Sequence, residues 1–220
     1  MKKSILAFIC LVVVGVVSAQ TTGPAFWSDI VAFKKSDSAA PPPQHAILFV
    51  GSSSFTKWTD VADYFPGYTI INRGFGGSTL VDVIRYAYDV ILPYQPRQVV
   101  IYCGENDLAA SDSVTAADVV RRFKTLFAII RQNLPNAVVD FVSMKPSPSR
   151  AHLMPKYQTA NAQIKAFLQK QNHTGYINVY NAMLDASGHP RAELFLDDQL
   201  HMKPEGYKIW QKIIQPYLLK

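Results

Sequence analysis

Four short stretches of this chain carry side chains able to share one reaction. Residues 51–54 read Gly-Ser-Ser-Ser, 74–79 Gly-Phe-Gly-Gly-Ser-Thr, 104–107 Gly-Glu-Asn-Asp and 198–201 Asp-Gln-Leu-His. A serine hydroxyl attacks a carbonyl only when a base takes its proton, and that base needs a third group to hold one tautomer. The negative charge that then develops needs hydrogen-bond donors and no carboxylate beside it. The first stretch offers serines, the middle two offer donors, and the last offers a histidine with an aspartate.

Each piece also has an ordinary structural use. A serine after a strand caps the following helix, and Gly-Ser-Ser-Ser-Phe departs from Gly-x-Ser-x-Gly because Phe55 stands at the second glycine. Of the five histidines, His45 falls in a proline-rich linker and His173 and His189 in polar turns, while His152 follows a strand's loop. His201 differs: Asp198 lies three residues before it, with Asp197 as the rival carboxylate, and either can orient its ring. Among donors, Gly77 offers a backbone N–H with no Cβ in a substrate's way, and Asn106 offers a side-chain amide. Glu105 and Asp107 would repel an oxyanion. Cys103 closes an apolar run and reads as a small buried hydrophobe.

The surrounding pattern says what must hold these groups. Five apolar, β-branched runs occur at 46–50, 68–71, 98–103, 137–143 and 176–180. They are continuously apolar rather than alternating, which suits strands buried on both faces of a parallel sheet. Helical patterns lie between them, over 79–92, 115–133 and 155–171 and from Pro204 onward. The first two open Thr-x-x-Asp, a capping-box start. An earlier helix over 26–35 has Phe26, Ile30 and Phe33 at helical spacing. Alternating strands and helices predict a three-layer α/β/α sandwich, whose ligands sit beyond the carboxyl ends of the strands. Three of the four stretches, and Lys-Pro-Ser-Pro-Ser-Arg at 145–150, begin within three residues of the end of an apolar run.

The N-terminus reads as a secretory signal peptide over 1–19: two lysines, an apolar run from Ile5 to Val17, then Ser18 and Ala19. The run is too short to span a bilayer, so no stable membrane insertion is expected after cleavage, and the protein is expected to be secreted or periplasmic. Residues 20–45 read as an N-terminal helix and proline-rich linker, and 46–220 as one domain. The net charge of +6 is scattered with no Lys/Arg block, which argues against a nucleic-acid partner. One cysteine beyond the signal leaves no internal disulfide, and neither a thiolate zinc site nor His-Glu-x-x-His is present, so no metal or organic cofactor is implied.

In order and spacing the four stretches resemble the blocks that define the SGNH hydrolases, also called the GDSL esterase/lipase family. The small secreted bacterial branch similar to platelet-activating-factor acetylhydrolase subunits is the nearest likeness. The resemblance implies a flavodoxin-like five-stranded parallel sheet and a serine ester hydrolase acting on a short-chain or acetyl ester, with a small-molecule or carbohydrate ester as partner. It implies Ser53 as nucleophile, His201 as base and Asp198 as its orienting group. The oxyanion donors would be Gly77, Asn106 and the N–H of Ser53. Ser52 replaces the family's Asp and becomes the rival nucleophile; Ser54 replaces its Leu. Lys145 and Arg150 are candidates for meeting a substrate or for a structural role. Two other readings compete. A dinucleotide fingerprint at 74–79 fails at its last glycine, which is Thr79. A non-catalytic secreted carbohydrate-binding protein on a hydrolase scaffold is the alternative from a different class.

Overall fold

The computed structural model describes residues 23–220, so the segment read as a signal peptide lies outside the described residues. Five strands, β1 (Ile47–Gly51), β2 (Ile70–Gly74), β3 (Gln98–Tyr102), β4 (Val138–Val142) and β5 (Thr174–Ile177), form one sheet. All pairings are parallel and the order is β2-β1-β3-β4-β5. Nine α-helices stand among the described residues: α1 (Trp27–Ala39), α2 (Ser53–Thr56), α3 (Val61–Tyr64), α4 (Leu80–Arg85), α5 (Ala87–Val90), α6 (Glu105–Ala109), α7 (Ala116–Asn133), α8 (Met154–Leu168) and α9 (Pro204–Ile214).

Two cores sit on opposite faces of the sheet, because successive strand side chains point opposite ways. Leu48, Val50, Val99, Ile101, Val139 and Phe141 pack under α1, α4, α5, α7 and α8. Ile47, Phe49, Val100, Tyr102 and Val142 pack under α2, α3 and α9. This is the three-layer sandwich that uninterrupted apolar runs require. Both Thr-x-x-Asp starts are reciprocal capping boxes, at Thr79–Asp82 and Thr115–Asp118.

Several boundaries differ from the sequence pattern: α1 runs on to Ala39 past the expected end at 35, and α8 stops at Leu168, short of 171. The helix expected over 79–92 breaks at Tyr86 (φ −102°, ψ 12°), whose phenol donates to the Ala25 carbonyl at 2.6 Å. β5 ends at Ile177 rather than running to 180, because Val179 N and Tyr180 N donate to Ser143 Oγ (3.0 and 3.1 Å) instead of to a strand. Phe26 precedes α1 in the left-handed region (φ 65°, ψ 5°), its ring edge-on to Phe75 at 5.5 Å. A bulky residue there is held by its surroundings. Ile30 reaches the core, and Asp37 ties α1 to β2 through Arg73 and to Tyr94 Oη at 2.6 Å.

At the amino end of the sheet, Gln98 clasps the C-terminal segment. Its Nε2 donates to Asp140 Oδ2 (2.5 Å) and to the Tyr217 carbonyl (2.7 Å), and its Oε1 accepts from Leu219 N (2.8 Å). Burial raises the Asp140 carboxyl from 3.8 to about 6, although the Gln98 amide pulls the other way. A carboxyl raised in the folded state contributes stability that is full below its unfolded pKa and is lost as pH rises through 6. Over that window the loss amounts to about 3 kcal/mol. Asp140→Asn keeps an acceptor for Gln98 and cannot ionise. Its melting temperature is expected to gain on the wild type between pH 4.5 and pH 8. A gap that stays constant with pH would contradict this.

Candidate active site

β1 and β3 are neighbours at the centre of the sheet, and the chain winds outward from them in opposite directions. The loops beyond their carboxyl ends therefore diverge at this switch point, where open α/β sheets form their ligand crevice. Ser53 follows β1 and Asn106 follows β3, so the topology sets them on its two sides.

The serine stretch is shaped by Gly51. Its φ is +138°, and a Cβ there would lie 2.0 Å from the Tyr102 carbonyl oxygen. That approach lets Ser52 N donate to the same oxygen at 2.9 Å before the chain turns into α2. The three serines then have separate environments. Ser52 and Ser54 are buried, and the Ser54 carbonyl accepts from Tyr207 Oη at 2.9 Å. Ser53, the first residue of α2, is half-exposed, and its hydroxyl has no hydrogen-bond partner among the described residues.

The glycine stretch folds against it. Phe75 N and Ser78 Oγ both donate to the Gly51 carbonyl (2.9 and 3.2 Å), and the Cβ position of Gly76 lies 3.9 Å from Ser53 Cβ. Gly77 has φ +86°, and its Cβ position lies 3.8 Å from the Phe26 ring. Asn106 in α6 closes the other side. Its Nδ2 donates to Ser52 Oγ (2.6 Å) and to the Ser78 carbonyl (3.0 Å), while its Oδ1 accepts from Arg150 Nη1 (2.9 Å). Asp107 is fully buried, accepting from Leu80 N (2.9 Å) and Arg122 Nη1 (2.8 Å), and so pins α6 to α4 and α7.

In the histidine stretch the ring pairs with Asp198, not with Asp197. Asp198 Oδ2 lies 2.6 Å from His201 Nδ1, and Asp198 Oδ1 accepts from the backbone N–H groups of Leu200 and His201, each at 2.9 Å. Burial pushes the Asp198 carboxyl up, but the His201 ring and these amides outweigh it and hold the group at about 2. Asp197 is exposed and makes no hydrogen bond to His201. With Nδ1 paired, Nε2 is the ring nitrogen left without a protein partner among the described residues. No direct hydrogen bond joins His201 to Ser53, a contact that commonly tightens only with substrate bound. Elsewhere, His189 lies 3.9 Å from Asp185 with both exposed, and His152 is exposed in the 3-10 turn Pro148–Leu153.

Lys145 was open to a role at the substrate, and the structure places it inside the protein instead. It is 1% exposed and donates to Glu105 Oε2 (3.2 Å) and Tyr102 Oη (3.3 Å). A buried ammonium needs such a partner. Ser149 N and Oγ both donate to the Gln199 carbonyl (3.1 and 2.9 Å), inside the 198–201 stretch. The spacing of residues gave no sign of these links, since each joins parts of the chain about 40 or more residues apart. Among the described residues no group of three His, Cys, Asp or Glu side chains gathers where it could hold a metal.

The Ser, Gly, Asn and His stretches thus all lie beyond the carboxyl edge of a parallel sheet layered between helices. The chain belongs to the GDSL-like lipase/acylhydrolase family, whose model matches residues 40–209, and it is a carboxylic ester hydrolase. Solved structures share the fold. A GDSL-like lipase from Bacteroides thetaiotaomicron is 22% identical, with TM-score 0.73, over 86% of this chain and 96% of that one. A protein from Streptococcus pneumonia, provisionally described as a platelet activating factor, is 18% identical, with TM-score 0.76, over 87% and 92%. A variant of an acetyl-xylooligosaccharide esterase from Geobacillus Stearmophilus is 11% identical, with TM-score 0.65, over 81% and 96%. None of the curated proteins compared matches in sequence.

Proposed function

We propose that this protein is a secreted or periplasmic serine esterase that removes acetyl or other short acyl groups through Ser53, His201 and Asp198. The observation that carries the reading is the 2.6 Å Asp198–His201 pair, which leaves Nε2 as the basic nitrogen. In the proposed reaction His201 Nε2 takes the Ser53 proton as Ser53 Oγ bonds to the ester carbonyl carbon. Asp198 stabilises the imidazolium. The oxyanion is held by the N–H groups of Ser53 and Gly77 and by Asn106 Nδ2. Because one Nδ2 hydrogen is given to the Ser78 carbonyl, the one now given to Ser52 Oγ is the one available. The alcohol leaves with the His201 proton. Water, deprotonated by His201, then cleaves the acyl-enzyme to the carboxylic acid and restores Ser53.

A small acyl group is favoured by Phe26, whose ring borders Gly77 at 3.8 Å from its Cβ position. The likeness to an acetyl-xylooligosaccharide esterase supports an acetylated sugar as the physiological class. With p-nitrophenyl esters, kcat/KM is expected to be highest for acetate and to fall steadily toward decanoate, with acetylated xylo-oligosaccharide also hydrolysed. A maximum at decanoate would overturn the short-chain assignment. Export is tested by sequencing the N-terminus of the mature protein, expected at Gln20; an intact Met1 would contradict it.

A further inference from the structure

We infer that Arg150 is a positioning residue of the oxyanion site, acting through Asn106. The inference rests on the catalytic reading above. A carboxamide has nearly the same shape in its two flipped orientations, and only one of them turns N–H toward the serine stretch, where Nδ2 lies 2.6 Å from Ser52 Oγ. Three neighbours bear on the choice. Ser52 Oγ can donate or accept, so it imposes nothing. The Ser78 carbonyl only accepts and calls for Nδ2. Arg150 only donates and calls for Oδ1, at 2.9 Å. A flip would set oxygen against the Ser78 carbonyl and an N–H against the guanidinium.

Charge adds to orientation. A guanidinium bonded to Oδ1 draws electron density from the amide and strengthens its N–H as a donor. Lys145, the other cation of this loop, is neutralised by Glu105. Among the described residues no carboxylate lies within ion-pairing distance of Arg150. Arg150 therefore has no ion-pair partner among the described residues and sits one amide away from where the oxyanion would develop. The loop that carries it is fixed at both ends, by Lys145 on Glu105 and by Ser149 on the Gln199 carbonyl. Residues 145–150 thus register the donor side of the crevice against the histidine side.

The test is a kinetic cycle on p-nitrophenyl acetate with the mature protein. Arg150→Ala is expected to lower kcat on the order of 10- to 100-fold, less than loss of the donor itself, with KM nearly unchanged. In Asn106→Ala the further change Arg150→Ala should cost almost nothing, because its target is gone. Millimolar guanidinium should restore part of the kcat of Arg150→Ala, and Arg150→Lys, which keeps the charge if the alanine variant folds poorly, should fall between. A raised KM with unchanged kcat would make Arg150 a substrate contact and overturn the inference, as would full additivity with Asn106→Ala. Active Ser53→Ala would overturn the catalytic reading and this inference with it. Inactive Ser53→Ala beside fully active Arg150→Ala would overturn this inference alone.

Discussion

Ser53→Ala is expected to lower kcat on p-nitrophenyl acetate by roughly 10^4- to 10^6-fold, as loss of a triad nucleophile does elsewhere. Its melting temperature should match the wild type, because the Ser53 hydroxyl bonds to no other described residue and its side chain is half-exposed. Ser52→Ala is the contrasting variant. Ser52 Oγ is buried and accepts from Asn106 Nδ2 at 2.6 Å, so it is poorly placed to attack a substrate. Its loss should leave kcat within about tenfold and shift stability more, by about 1 kcal/mol for one hydrogen bond. Paired melting curves and initial rates separate the two serines. Inactivity in Ser52→Ala with activity kept in Ser53→Ala would reverse their roles.

Gly51→Ala is expected to be severely damaging, the added methyl meeting backbone more closely than at any other described glycine. The residue has φ +138°, and the added Cβ would fall 2.0 Å from the Tyr102 carbonyl oxygen, which must also accept from Ser52 N. Relief means prising β1 from β3 at the centre of the sheet. The same displacement would loosen the Gly51 carbonyl that receives Phe75 N and Ser78 Oγ. A cost above about 4 kcal/mol is expected, a large part of a typical domain's total stability. Denaturant unfolding followed by circular dichroism measures it, and a midpoint equal to the wild type would refute the argument.

What could be read in advance follows from how local each cause is. The central strands β1, β3 and β4 were legible because both of their faces are buried, so their positions are nearly all apolar, Gln98 and Asp140 being the polar exceptions. The Thr-x-x-Asp starts were legible because the hydrogen bonds that make them stay within four residues. The end of β5 was not, since it depends on Ser143 answering amides some 36 residues away. Spacing also left Asp197 and Asp198 both open, because either can reach a ring in the same loop. The choice depends on the turn at Gln199 (φ +53°), which aims Asp198 back at His201 and at two amides. Lys145 and Arg150 were visible as cations after a strand. Their partners, Glu105 and Asn106, come from the loop after the neighbouring strand β3, 40 and 44 residues back in the chain, and only the assembled sheet brings them together.

The Gln98 clasp on Tyr217 and Leu219 fixes residues 217–219 relative to the four candidate stretches. Gln98 opens its strand, whereas the reactive stretches lie past the strands' far ends. A fusion or surface linkage made after Lys220 would thus leave from the pole opposite the crevice, and protein immobilised that way would present its open face to solution. A linkage ahead of Phe26 would enter beside Gly77, at the mouth itself.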